Sequence, residues 1–236
     1  MTDTTALDSF LDKWRSRWPE WRVVEVFVPE PQRRLALAWF ALLQEFVDTM
    51  NVAGDPLPAD AKLGWWGEEL RDWNGQRSRH PLGRVLEPVR APWFELAEAL
   101  PVLVRLREPL GDAADAIQLV RPLAKAIAQV ETALFGSAGG EALVDSIGAQ
   151  WLAARLLDSV DAVLPGEGQA GPGPAYRQWS AELLGRWPPR QGAVPRRLWS
   201  ALARSRLQRC PGPADGVAPL PPLRALWLGW RAASRR

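Results

Sequence analysis

The side chains able to do chemistry are few in this chain, and their spacing excludes more reactions than it suggests. His80 is the sole histidine and Cys210 the sole cysteine. Together they fall short of any Cys/His zinc site, and a lone cysteine forms no internal disulfide. A Ser-His-Asp hydrolase would have to route every proton through His80. Its setting, Ser78-Arg79-His80-Pro81-Leu82, shows no nucleophile elbow, and no G-x-S-x-G occurs. Gly171-Pro172-Gly173 has the wrong spacing for a dinucleotide loop, and no phosphate-binding G-x-x-x-x-G-K-S/T is present. Several acids read as structural. Glu68, Glu69 and Asp72 share one edge of a helix whose other side is apolar, the pattern of a solvated face. Asp55 and Asp60 sit in a Pro-rich turn, where Asp serves the backbone. His80, ahead of a proline, reads as a turn or capping residue.

The elements that must position these residues are helical almost throughout. Leu35, Ala38, Trp39, Leu42, Leu43, Phe46 and Met50 recur in steps of three and four, with Pro31 in the first turn of that helix. A second helix is expected from about Asp60, as N-cap, through Leu63, Trp66, Leu70 and Trp73 to Asn74-Gly75. Others are expected over 92–107, 112–135 and 141–163. Val23 to Val28 is strand-like, but with no second such run to pair with it reads as a buried helix or an extended lead-in. Residues 165–174 read as a Gly/Pro linker, and 175–236 as a C-terminal helical tail docked on the bundle, with pieces near 175–187, 195–208 and 219–233. The expectation is one all-α domain over 1–236.

Composition agrees with a single sizeable core. The 236 residues are 47% apolar, with 29 Lys and Arg against 27 Asp and Glu. A net charge of +2 makes nucleic acid an unexpected partner. The longest uncharged stretch, Leu35 to Gln44, is about half of what a membrane span needs. The first eight residues have neither a basic start nor an apolar stretch, so the expected location is cytoplasmic. Fourteen tryptophans against one tyrosine read mainly as core filler, since each ring buries a large apolar area. Leu223, Leu226, Trp227 and Trp230 fall on one side of the last helix with Arg224, Arg231, Arg235 and Arg236 nearby. Two readings follow: peripheral contact with the inner membrane surface, or a terminal helix packed on the bundle.

Lys62-Leu-Gly-Trp-Trp-Gly-Glu-Glu-Leu70, followed ten residues later by His80-Pro-Leu82, resembles the squalene/phytoene synthase family of head-to-head prenyl synthases. Val26-Phe-Val-Pro29 with Arg33-Arg34-Leu-Ala-Leu-Ala38 is similar to the entry to that family's first core helix. Leu220 to Trp230 is similar to its basic terminal helix. The resemblance implies an isoprenoid-synthase-like helical bundle around a central apolar cavity. In such proteins Asp-rich motifs on two facing helices hold the magnesium ions that neutralise a substrate diphosphate. Ionisation then leaves an allylic cation shielded by apolar walls.

The resemblance puts the first motif, Asp-Asp-x-x-Asp in the family, at Val47-Asp48-Thr49-Met50-Asn51, where Asp48 alone is acidic. The second, Asn-x-x-Arg-Asp, falls on Arg155-Leu-Leu-Asp158-Ser159, and a one-residue shift brings Asp158 into place with Asp161 at i+3. The family's Tyr and Gly ahead of that motif are replaced by Leu123 and Gln129. By resemblance, Asp48, Asn51, Arg155 and Asp158 are the candidate substrate contacts, and Asp48, Asp158 and Asp161 would hold Mg2+ if the protein is active. The wall around Arg155 offers too few oxygens and the wrong charge for a trinuclear cluster. Arg155 could still meet a diphosphate directly through its guanidinium.

Two functions are therefore expected. One is a catalytically impaired or silent family member that binds an isoprenoid or other apolar lipid, or a protein partner, in the manner of the complex I assembly-factor branch. The alternative is an active Mg-dependent prenyl-diphosphate transferase of isoprenoid biosynthesis. A plain carrier of small apolar ligands would need the same cavity and no carboxylates.

Overall fold

A computed structural model describes residues 2–52, 54–110, 112–137, 139–158, 172–210 and 218–234, and it is all-helical, with no strand among them. The centre is α3, Glu30–Met50. From Ala36 to Val47 every residue is buried, the condition of a helix surrounded on all sides. Around it lie α1 (Thr2–Arg17), α4 (Leu57–Asn74), the short α5 (Gly83–Leu86), α7 (Val102–Arg105) and α9 (Glu141–Asp158). The helix α8 (Ala113–Phe135) pairs with α9 and carries α6 (Trp93–Ala99) on its other side. The last three helices are α10 (Pro172–Gly185), α11 (Val194–Arg209) and α12 (Pro222–Ala233). Both α10 and α11 pack on α9, and α12 lies between α11 and α2 (Trp21–Val24). None of these helices is long and apolar enough to cross a membrane.

Local chemistry explains most boundaries. Asp112 caps α8 by accepting from the amides of Ala114 and Asp115, at 2.8 and 2.9 Å. Gly136, with φ 66°, ends the same helix in the left-handed region. The strand-like run is helical from Val23 to Phe27, shared between α2 and a 3-10 turn over Glu25–Phe27, and Val28 is extended. Eleven of the fourteen tryptophans are buried, the exceptions being Trp65, Trp227 and Trp230.

Three expectations need correction. The helix expected over 92–107 is two short ones, because Pro101 cannot donate to the ladder and the chain turns there. The helix holding the Trp-Trp pair begins at Leu57 with Pro56 at its N-cap, and Asp60 lies inside its first turn, where it pairs with Arg107. Glu69 is not solvated but fully buried. The expected 141–163 helix is described to Asp158; the remainder, most of the 165–174 linker, and Asp161, Arg235 and Arg236 lie outside the described residues.

Candidate functional site

The N-terminal helix α1 borders a cavity through Ser16 and Arg17. Its apolar side, Leu7, Leu11 and Trp14, is buried on the bundle. Trp14 meets Trp21 at 5.1 Å between ring centres, Phe40 at 5.5 Å and Trp199 at 6.0 Å. This aromatic cluster fixes α1 across α3 and α11. It brings the cations of α1 onto the carboxylates of α3 and α9.

Lys13 Nζ donates to Asp48 Oδ2 at 2.7 Å and to Glu45 Oε1 at 2.8 Å. Lys62 of α4 takes the other Glu45 oxygen at 2.6 Å, and Gln44 Nε2 donates to Asp48 Oδ1 at 2.9 Å. Burial pushes the Lys13 ammonium down, but Asp48 and Glu45 outweigh it and hold its pKa above the usual lysine value. On α9, Asp158 pairs with Arg17. Burial raises the Asp158 pKa despite Arg17, and the charge of Asp48 pushes it the same way.

Behind this rim lies a cavity of about 400 Å³. Trp18, Val47, Trp151, Leu157 and Trp199 supply apolar walls, and Arg17, Asp158 and Arg206 supply charge. The Arg206 guanidinium lies 3.8 Å from the Trp18 ring centre and donates to Glu20 Oε2 at 2.7 Å. Burial pushes the Glu20 carboxyl up, but Arg206 more than reverses this and keeps it ionised. A hollow with aromatic walls and a cationic edge suits an amphipathic guest with an anionic head.

The residues singled out from sequence divide. Asp48 of α3 is paired with Lys13 and Gln44, and Asp158 is paired with Arg17 and lines the cavity. Asn51 and Arg155 act as struts. Asn51 Nδ2 donates to the Ala154 carbonyl at 3.2 Å, and its Oδ1 accepts from Arg155 at 3.3 Å. The buried Arg155 guanidinium also donates to the Leu106 and Arg107 carbonyls just past α7, at 3.2 and 3.3 Å. These are the carbonyls a helix end leaves without partners.

Among the described residues, the donor set does not fit a magnesium cluster. Both Asp48 oxygens are taken by Lys13 and Gln44, and Asp158 is held by Arg17. Hard divalent cations want several converging oxygens. Among the described residues no group of three or more Asp, Glu, His and Cys side chains could hold a metal.

The segment that carried the family resemblance has a structural task. Glu69 accepts from Trp73 Nε1 at 2.9 Å, from the amides of Arg79 and His80 at 2.7 and 2.8 Å, and from Arg79 Nε at 3.0 Å. Burial pushes its carboxyl up, yet these donors more than offset that and hold it below the usual glutamate value. His80 Nδ1 accepts from the Leu82 amide at 3.1 Å, closing a local turn ahead of α5. Its ring sits 4.6 Å from those of both Phe10 and Trp66, so the turn also braces α1.

Burial pushes the His80 pKa down to about 4 from 6.5. Between these values the unfolded chain binds a proton that the folded chain refuses, so stability present above pH 6.5 is lost as pH falls toward 4. Discounting for partial exposure, the loss should be about 2 kcal/mol. Urea melts of His80→Asn, which keeps an accepting oxygen and removes the titration, should be flatter between pH 6.5 and 4.5; an unchanged slope would refute this assignment.

Sequence reasoning missed the buried centre. Arg196 Nε lies 2.9 Å from each Glu131 oxygen, Arg196 Nη1 donates to Gln150 Oε1 at 2.9 Å, and Trp39 Nε1 donates to Glu131 Oε1 at 2.8 Å. The advance signal was slight: Glu131 falls at helical spacing with Ile127 and Leu134 on the apolar face of α8. No family model matches the chain, and no curated protein or solved structure matches it either.

Proposed function

We propose that this chain is a squalene/phytoene synthase-like protein that has lost prenyl-transfer chemistry and retains a lipid-binding cavity, with a guest of isoprenoid type. The observation carrying this reading is the substitution of protein cations for metal. Lys13 neutralises Asp48, and Arg17 neutralises Asp158 in the lining of an aromatic cavity. In a working site, metal ions on those carboxylates would bind the diphosphate and draw it away from the allylic carbon. A carboxylate already paired with an ammonium gains little by binding magnesium. Arg17 and Arg206 would still attract an anionic head, and Trp18, Trp151 and Trp199 would shelter an apolar tail. Recognition of the guest would then require no metal.

The influence of the Asp48 charge on Asp158 also supports the second reading, an active synthase in which α1 withdraws when substrate arrives. One experiment separates the two. Farnesyl and geranylgeranyl diphosphate are titrated into the full chain with and without magnesium, following tryptophan fluorescence and diphosphate release. The expected result is saturable quenching independent of magnesium, no release, and loss of quenching in Ala203→Phe, which fills the cavity. Magnesium-dependent release that disappears in Asp48→Ala would establish the synthase. No quenching by either lipid would remove the guest.

A further inference from the structure

The last helix is docked in the opposite sense to an ordinary amphipathic helix. Its buried side is made of small residues, Ala225, Gly229 and Ala232, while Leu223, Leu226, Trp227 and Trp230 are exposed. Leu223 is 82% exposed and the two tryptophans 53% and 54%. Gly229 explains how this is possible. A Cβ there would stand 2.8 Å from Val24 Cγ1 and 3.0 Å from a Phe27 ring carbon, so only glycine lets α12 lie this close to α2. The small face is spent on the bundle, and the large apolar face is left outward. At about 100° per residue the four large side chains fall within an arc of about 100°.

Charge is segregated in the same region. From Leu183 to Arg236 the sequence carries eleven arginines and a single acid, Asp215, a local charge of +10 against −8 over 1–182. Four of these arginines, Arg190, Arg197, Arg204 and Arg231, line a groove of about 290 Å³ between α11 and α12, and no acid lines it among the described residues. Arg231 joins groove to arc, since its guanidinium lies 4.7 Å from the centre of the exposed Trp227 ring. Arg224, also exposed, flanks the arc on the same side of the helix.

We propose that α12 and the adjoining arginine groove form a docking surface for an anionic phospholipid bilayer, with Leu223, Leu226, Trp227 and Trp230 entering the interface and the groove receiving a headgroup phosphate. Tryptophan with leucine is the composition that settles at the boundary between headgroups and acyl chains, and arginines beside it add attraction to anionic lipid. Neither signal binds a membrane firmly alone, and their adjacency supplies both. A second copy of the chain would bring the same excess of arginine to the contact, so charge favours lipid over self-association. The surface is distinct from the cavity, and this inference does not depend on the cavity's guest.

The test is co-sedimentation of the full chain with vesicles of phosphatidylcholine alone or with about a third phosphatidylglycerol, at moderate salt. Binding to the anionic vesicles should be about tenfold stronger, with a blue shift of tryptophan emission. Trp227→Ser with Trp230→Ser should abolish both, and Arg190→Glu with Arg231→Glu should remove the preference for anionic lipid, all with unchanged thermal melts. Equal binding to both vesicles, or to neither, overturns the proposal. So does retention of binding by both variants, or concentration-dependent dimerisation that the tryptophan variant abolishes without any vesicle binding. Stabilisation by inorganic phosphate without vesicle binding would mark the groove as a site for a soluble anion and overturn it too.

Discussion

Arg196→Met should destabilise the chain by about 3–5 kcal/mol, because it strands a buried carboxylate. Arg196 and Glu131 are each about 1% exposed, and the pair lies among α3, α8, α9 and α11. With Arg196 gone, Glu131 keeps the Trp39 indole as a donor, and Gln150 Oε1 loses the donor it has now. The guanidinium also lies 4.9 Å from the Trp199 ring centre and 5.6 Å from that of Phe40, so stacking is lost with charge. Glu131→Gln with Arg196→Met should recover most of the loss, since it removes the orphaned charge and leaves an amide able to accept from Trp39. Urea denaturation of the three variants checks this. A single variant within about 1 kcal/mol of the parent would show that water reaches Glu131.

Glu69→Ala should cost about 3–4 kcal/mol, since the amides of Arg79 and His80 and the Trp73 indole lose their common acceptor inside the protein. The damage should spread to the cavity rim. The turn that Glu69 holds carries His80, whose ring touches Phe10 of α1, and α1 supplies Lys13 and Arg17. Limited trypsin digestion should therefore cleave after Lys13, Arg15 or Arg17 sooner than in the parent, alongside the lower melt. A destabilised chain with α1 equally protected would separate the turn from the rim and refute the coupling. Because the donors hold the Glu69 carboxyl below the usual glutamate value of 4.5, its contribution is complete above that pH and is lost as pH falls through the lowered folded value.

Much of the helical framework was legible because buried faces repeat every three or four residues and because Asp112, Gly136 and Pro31 punctuate them. The α1 helix is absent from the elements expected of the sequence, although Leu7, Phe10, Leu11 and Trp14 recur at helical spacing. Its importance was hidden too, since nothing in that spacing says that Lys13 and Arg17 will meet carboxylates 35 and 141 positions away. Glu69 misled for a related reason. An acid on the polar edge of an amphipathic helix reads as solvated until a later turn folds its amides over that edge.

The sequence by itself determined the helical class and, with one histidine and one cysteine, the lack of a Cys/His zinc set. Local periodicity and residue type suffice for these, because they depend on neighbours along the chain. The tertiary structure alone decided which charges meet. It turned Asn51 and Arg155 into struts, gave Asp48 and Asp158 to the cations of α1, and put Arg196 at the buried centre. It also turned the large apolar side of α12 outward, against the usual expectation for an amphipathic helix. The reason is that charge pairing and burial depend on distances between remote segments, and only packing sets those.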